Sequence, residues 1–104
     1  MARFDVYINP ISEDRGDFPY VLEIQSNLLY RFSERVCVPL VRPGRVPGLT
    51  ERFNPGVIVQ GEAVQLHPLG IAVFLLSELR NCVGSVQSDF LSIETALDML
   101  LRGY

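Results

Sequence analysis

Residues 86–104 read VQSDFLSIETALDMLLRGY. Phe90, Ile93, Leu97, Leu100 and Tyr104 recur at alternating steps of three and four, which places them on one face of an α-helix. Ala96 and Leu101 widen that face, and Asp89, Glu94 and Asp98 lie off it. No Gly or Pro interrupts residues 86–102, and Ala, Leu and Met favour helix. Ser85 or Ser88 is suited to the N-cap, with Asp89 complementing the positive end of the helix dipole. Arg102 falls in the last turn, where a cation is favourable, and Gly103 is suited to a left-handed C′ residue. A helix this amphipathic needs an apolar partner, because each fully buried side chain contributes about 1.5–3 kcal/mol. The stretch is therefore expected to dock on a sheet, with its last residues turned towards a partner molecule.

The residues before it supply the sheet. Arg3 to Ile8 (RFDVYI) alternates, with Phe4, Val6 and Ile8 on one face and Arg3, Asp5 and Tyr7 on the other, the pattern of a half-buried strand. ISEDRGD reads as an exposed hairpin loop, and Tyr20 to Gln25 (YVLEIQ) as the second strand. Leu28 and Leu29 are two apolar residues in what should be a polar connection. Arg35 to Val41 (RVCVPLV) is a nearly continuous apolar run, as in a strand covered on both faces, with Pro39 calling for a bulge or an edge. A long loop follows, punctuated by Pro43, Gly44, Pro47, Gly48, Pro55 and Gly56. Val57–Val59 and Ala63–Leu66 read as strands joined by a turn, and Gly70 to Leu76 (GIAVFLL) as a buried strand; Cys82–Gly84 leads into the helix. The expectation is one domain over residues 1–104: mostly β, a small antiparallel barrel or strongly twisted sheet closed by a long C-terminal helix.

Composition narrows the function classes. The chain has 104 residues, 48% of them hydrophobic, and a net charge of −3, so it has the means to build a core and little reason to stay disordered. All nine basic residues are arginines, scattered along an acidic chain, which argues against a basic surface for duplex DNA. No apolar run is long enough to cross a bilayer, and the first residues lack a signal core; a cytoplasmic protein is expected, with Cys37 and Cys82 as reduced, buried thiols. One histidine, His67, and two distant cysteines do not assemble a catalytic set or a zinc site, and no glycine-rich loop precedes a helix in the manner of a phosphate site. No catalytic residue, metal ligand or cofactor is assigned, and the residues read as an interaction module.

Four pieces, IQSNLL, RVCVPL, FNPGVIV and ALDMLLRGY, together with the opening RFDVY, resemble the CcdB family of plasmid and chromosomal toxins in the same order over nearly the whole chain. The resemblance implies a five-stranded SH3-like barrel, the CcdB/MazF-type plasmid-maintenance toxin fold, with a small extra sheet, a long C-terminal helix and a homodimer. It implies no catalysis. It implies binding to the A subunit of DNA gyrase, trapping of the cleaved-DNA complex, and neutralisation by a CcdA-like antitoxin, with DNA reached only through gyrase or the antitoxin. The family's gyrase contacts, carried onto this sequence, fall on Leu28, Leu29, Asp98, Arg102, Gly103 and Tyr104. Members with a Trp-Gly-Ile end and a helical Asn differ here: Arg102 stands for the Trp, Tyr104 for the Ile and Asp98 for the Asn. An arginine cannot bury the area of an indole, but its planar guanidinium stacks or pairs with a carboxylate. Two alternatives stay open: a MazF/Kid-like endoribonuclease on the same barrel, using His67, Arg42, Arg45 and Glu51, and an inert homologue that binds antitoxin but not gyrase.

Overall fold

The computed structural model describes residues 2–103, so expectations for Tyr104 lie outside the described residues. Seven strands are found there: β1 Asp5–Ile8, β2 Tyr20–Glu23, β3 Glu34–Val41, β4 Gly56–Val59, β5 Glu62–Leu66, β6 Ala72–Leu75 and β7 Cys82–Ser85, followed by the helix α1, Phe90–Arg102. Every pairing is antiparallel; the strand order is β4-β5-β3-β2-β1-β7, with β6 attached to β3. The two end strands, β4 and β7, come back into contact, so the sheet curls into a nearly closed barrel.

The alternation read from the sequence places the main core. Val6, Leu22, Val38 and Leu40 point to one side and meet Val57, Val59, Val64 and Leu66 from β4–β5 and Ile93, Ala96 and Leu97 from α1. The opposite face is not solvated as expected. Tyr7, Val21 and Cys37 form a second core with Phe74 and Leu79, because β6 folds over that side of β1–β3. The half-buried first strand is thus buried on both faces at Val6 and Tyr7.

Four further expectations are corrected. The Gly70–Leu76 run is not a buried strand: Phe74 is buried, but Ile71, Val73 and Leu75 are exposed, since β6 has a partner on one edge and a core on one face only. Cys82–Gly84 is not a lead-in but part of β7, which pairs with β1 across a register shift between Val6 and Tyr7. Cys82 is exposed there, whereas Cys37 is buried; both are free thiols. Finally, α1 buries only Ile93, Ala96 and Leu97, leaving Phe90 and Leu101 exposed; a 3₁₀ turn at Gln87–Asp89 precedes the helix, and Ser85 Oγ accepts from the Gln87 N–H rather than capping α1.

Pro39 sits in the centre of the sheet, not at an edge. Its carbonyl accepts from His67 N at 3.0 Å. A residue in a strand aims its N and its C=O to the same side, so the missing N–H faces the junction where β3 changes partner from β6 to β5 and no ladder bond is lost there. Gly70 closes over that junction: a Cβ on it would lie 2.6 Å from Pro39 Cγ and 3.1 Å from His67 Cδ2. Because a proline ring cannot swing aside, Gly70→Ala should cost about 1–3 kcal/mol by overpacking, read as a drop in Tm of about 5–20 °C in a thermal melt.

Candidate functional site

The site residues expected from the sequence fall on two elements. Leu28 and Leu29 occupy a 3₁₀ turn, Asn27–Leu29, that follows β2. Ser26 starts it, its Oγ accepting from Leu28 N at 3.2 Å, which is why Ser-Asn ends the strand and turns the chain outward. Leu28 is 88% exposed and Leu29 44%. Leu29 borders a groove of about 230 Å³ whose walls include Phe32, Val36 and Val73, so the leucine pair is one end of a larger apolar surface on the outer face of β3–β6.

Asp98 and Arg102 lie one turn apart on α1, with Asp98 Oδ1 3.8 Å from Arg102 Nε. Both side chains are at least half exposed, so this pair is screened and worth little to stability. Gly103 has φ +83° and its N–H donates to the Asp98 carbonyl at 3.1 Å, the left-handed cap expected of it. No hydrogen bond or ion pair among the described residues joins these three to Leu28–Leu29 directly. The connection runs through Arg3, which the sequence reading left as a strand residue: its N–H donates to Asn27 Oδ1 at 2.8 Å, its Nε to the Ile24 carbonyl at 3.0 Å, and its Nη1 to Glu94 Oε1 at 3.1 Å. The same guanidinium lies 4.5 Å over the ring of Phe4. One arginine therefore ties the leucine turn to α1.

Two buried ionisable groups lie behind that turn. Glu23 and Arg35 are 3% and 5% exposed, with Arg35 Nε 3.6 Å from Glu23 Oε2. Burial pushes the Glu23 carboxyl up from its ordinary value, and Arg35 partly offsets the shift. Burial also raises the Cys37 thiol to about 12 and moves Tyr7 up, so Cys37 carries no thiolate at neutral pH.

Of the residues weighed for RNA cleavage, Arg42, Arg45 and His67 are each engaged with other partners. Arg42 is drawn onto Glu62 at 2.6 Å and onto the Arg15 and Gly16 carbonyls, and Arg45 onto Asp17 at 3.1 Å, so both brace the loop after β1. The Arg42 hydrogen bond outweighs the opposing desolvation and lowers the Glu62 carboxyl below its ordinary value. His67 stands against the Phe18 ring at 5.8 Å with its Nδ1 buried, and Glu51 is exposed. No group of three or more His, Cys, Asp or Glu that could hold a metal occurs among the described residues, and no helix there is long and apolar enough to cross a membrane.

Compared with known proteins, the chain finds no match among curated proteins. The family model described as CcdB protein matches residues 3–103, which takes in both elements of the site and every strand between them. The chain belongs to the CcdB family.

Proposed function

We propose that this chain, acting as one domain over residues 1–104, is the toxin of a type II toxin–antitoxin system that works without catalysis. It binds the A subunit of DNA gyrase and holds the enzyme on cleaved DNA. The observation that carries this reading is the Leu28–Leu29 turn, which drives two leucines into solvent while the Ser26 cap holds its backbone and Arg3 holds the Asn27 side chain. Exposed apolar side chains on a braced turn are suited to filling pockets on a second protein, because little entropy is lost on binding. Asp98, Arg102, Gly103 and Tyr104 form the second half of the contact. A homodimer fits the same reading: Leu69, beside α1, and Leu101 are 69% and 73% exposed, and a two-fold pair would offer a two-fold target the same grip twice. A CcdA-like antitoxin is the neutralising partner, and DNA is met through gyrase or the antitoxin.

One observation favours the inert homologue instead. Arg102 and Asp98 face each other at 3.8 Å, so this end of α1 offers a charged pair where an apolar anchor would bind best. Inducing the chain alone, in cells with wild-type gyrase and in cells with a toxin-resistant gyrase A subunit, separates the readings. Growth arrest with gyrase-linked DNA breaks is expected in the first strain only. Equal arrest in both would overturn the gyrase target, and normal growth of both with folded protein would favour the inert form.

A further inference from the structure

We propose that Arg35 is the positioning residue for the loop that displays Leu28 and Leu29, gripping the backbone of residues 30–34 while Glu23 holds its guanidinium from within the sheet. Its role in toxicity rests on the gyrase reading of the leucine pair; its grip on the loop does not.

Arg35 lies in β3 opposite Phe74 and is almost wholly buried. Its Nη1 donates to the carbonyls of Phe32 and of Glu34, the latter at 3.0 Å, and its Nη2 to the carbonyl of Tyr30 at 3.1 Å. Gln25 adds a second clamp, accepting from Val36 N at 2.9 Å and donating to the Glu34 carbonyl at 3.1 Å. Ser26 and Arg3 hold the start of the loop, and the Ser33 carbonyl accepts from Leu76 N at 2.7 Å, which leaves the carbonyls of Tyr30, Phe32 and Glu34 to Arg35 and Gln25. Tyr30 and Phe32 are 74% and 59% exposed, and residues 26–34 are all solvent-exposed, so this loop is not held by burial in the core. The guanidinium serves the three carbonyls from Nη1 and Nη2 while its Nε faces Glu23; a lysine ammonium has a single nitrogen and cannot span both sides.

The pair is an expensive way to achieve packing. Glu23 Oε1 is buried without a hydrogen-bond partner, and two apolar side chains of similar size would fill the space at least as well. What an apolar pair could not do is fix the path of residues 30–34, and that path sets where Leu28 and Leu29 point.

The test is limited trypsinolysis of the full chain, comparing the bond after Arg31, inside the loop, with the bond after Arg45, in an exposed loop that Arg35 does not touch. Two variants are compared with wild type: Arg35→Lys, and Glu23→Gln combined with Arg35→Met, which removes both charges and so keeps the core packed. Cleavage after Arg31 should rise about tenfold relative to cleavage after Arg45 in both variants, the effect of losing charge-assisted hydrogen bonds. A rise at both bonds together means global loosening and overturns the local role, as does no change at either. Trapping of cleaved DNA by purified gyrase is then measured on the same proteins. Loss of potency in step with the freed loop supports positioning; full potency with a freed loop overturns it. Leu28→Asp on the wild-type scaffold is the separate control: if it still traps gyrase, the gyrase reading of the leucines fails while the protease ratio still decides the grip.

Discussion

Replacing Leu28 and Leu29 together by aspartate is expected to abolish growth inhibition and leave the melting temperature within a few degrees of wild type. The two halves of this expectation have separate causes. Leu28 is 88% exposed and Leu29 44%, so little apolar area is lost on substitution, and surface changes of this kind fall within about ±0.5 kcal/mol each. In a complex the balance reverses. Apolar anchors at the centre of an interface cost about 2 kcal/mol or more when removed, and an aspartate forced into the same pocket adds the desolvation of a carboxylate. Two such positions reduce affinity by about a thousandfold or more. The check is a dose–growth curve on induction, a gyrase cleavage assay and a thermal melt on one preparation. Retained killing would move the contact away from this turn and onto the end of α1. A large drop in Tm would show that the leucines serve the fold.

How far such a site was legible follows from the range of the interactions involved. The leucine pair stood out because apolar residues are unusual in a turn that Ser26 and Asn27 announce, and the local cap formed as those residues dictate. What holds the turn was not legible. Arg3 reaches Glu94 across 91 positions, and Arg35 meets Glu23 only because β2 and β3 pair in a register that sets Glu23 against Cys37. Both arginines looked like surface charges in a chain of scattered arginines. The strands show the same division. Val6, Leu22, Val38 and Leu40 announce one core by alternation, but the same alternation marks Asp5, Tyr7 and Glu23 as a wet face, and it is the arrival of β6 that dries it. The run at 70–76 gave the opposite error. A continuous apolar run looks alike whether it is covered on both sides or presents one face to a partner, and here Ile71, Val73 and Leu75 stay exposed. β7 was hidden by its own composition: Gly84, at φ +156°, and Ser85 are poor strand formers, and the pairing with β1, from the far end of the chain, supplies what propensity does not.

Ile93→Ala should be the most damaging of the conservative changes, lowering stability by about 2–5 kcal/mol and Tm by about 10–30 °C. The size follows from how little holds α1. Of its thirteen residues only Ile93, Ala96 and Leu97 are buried, and Ile93, fully inaccessible, is the largest of these that packs into the main core without remainder. Three methylene-sized groups would be lost at a point where strands on one side and the helix on the other cannot both close in. A helix of this length is marginal in water without its docking surface, so α1 would fray as it loosens, and its Glu94 contact to Arg3 would go with it. Since domains are stable by only about 5–15 kcal/mol, a loss of this size leaves a sizeable unfolded fraction at growth temperature, and killing should fall even though Ile93 touches no partner. Leu91→Ala, on the exposed side of the same helix at 69%, is the matched control and should change Tm by no more than about 4 °C. Thermal melts of the two variants, with amide exchange over residues 90–103, decide the point: equal effects at the two leucine-sized positions would mean that α1 does not dock on the face described.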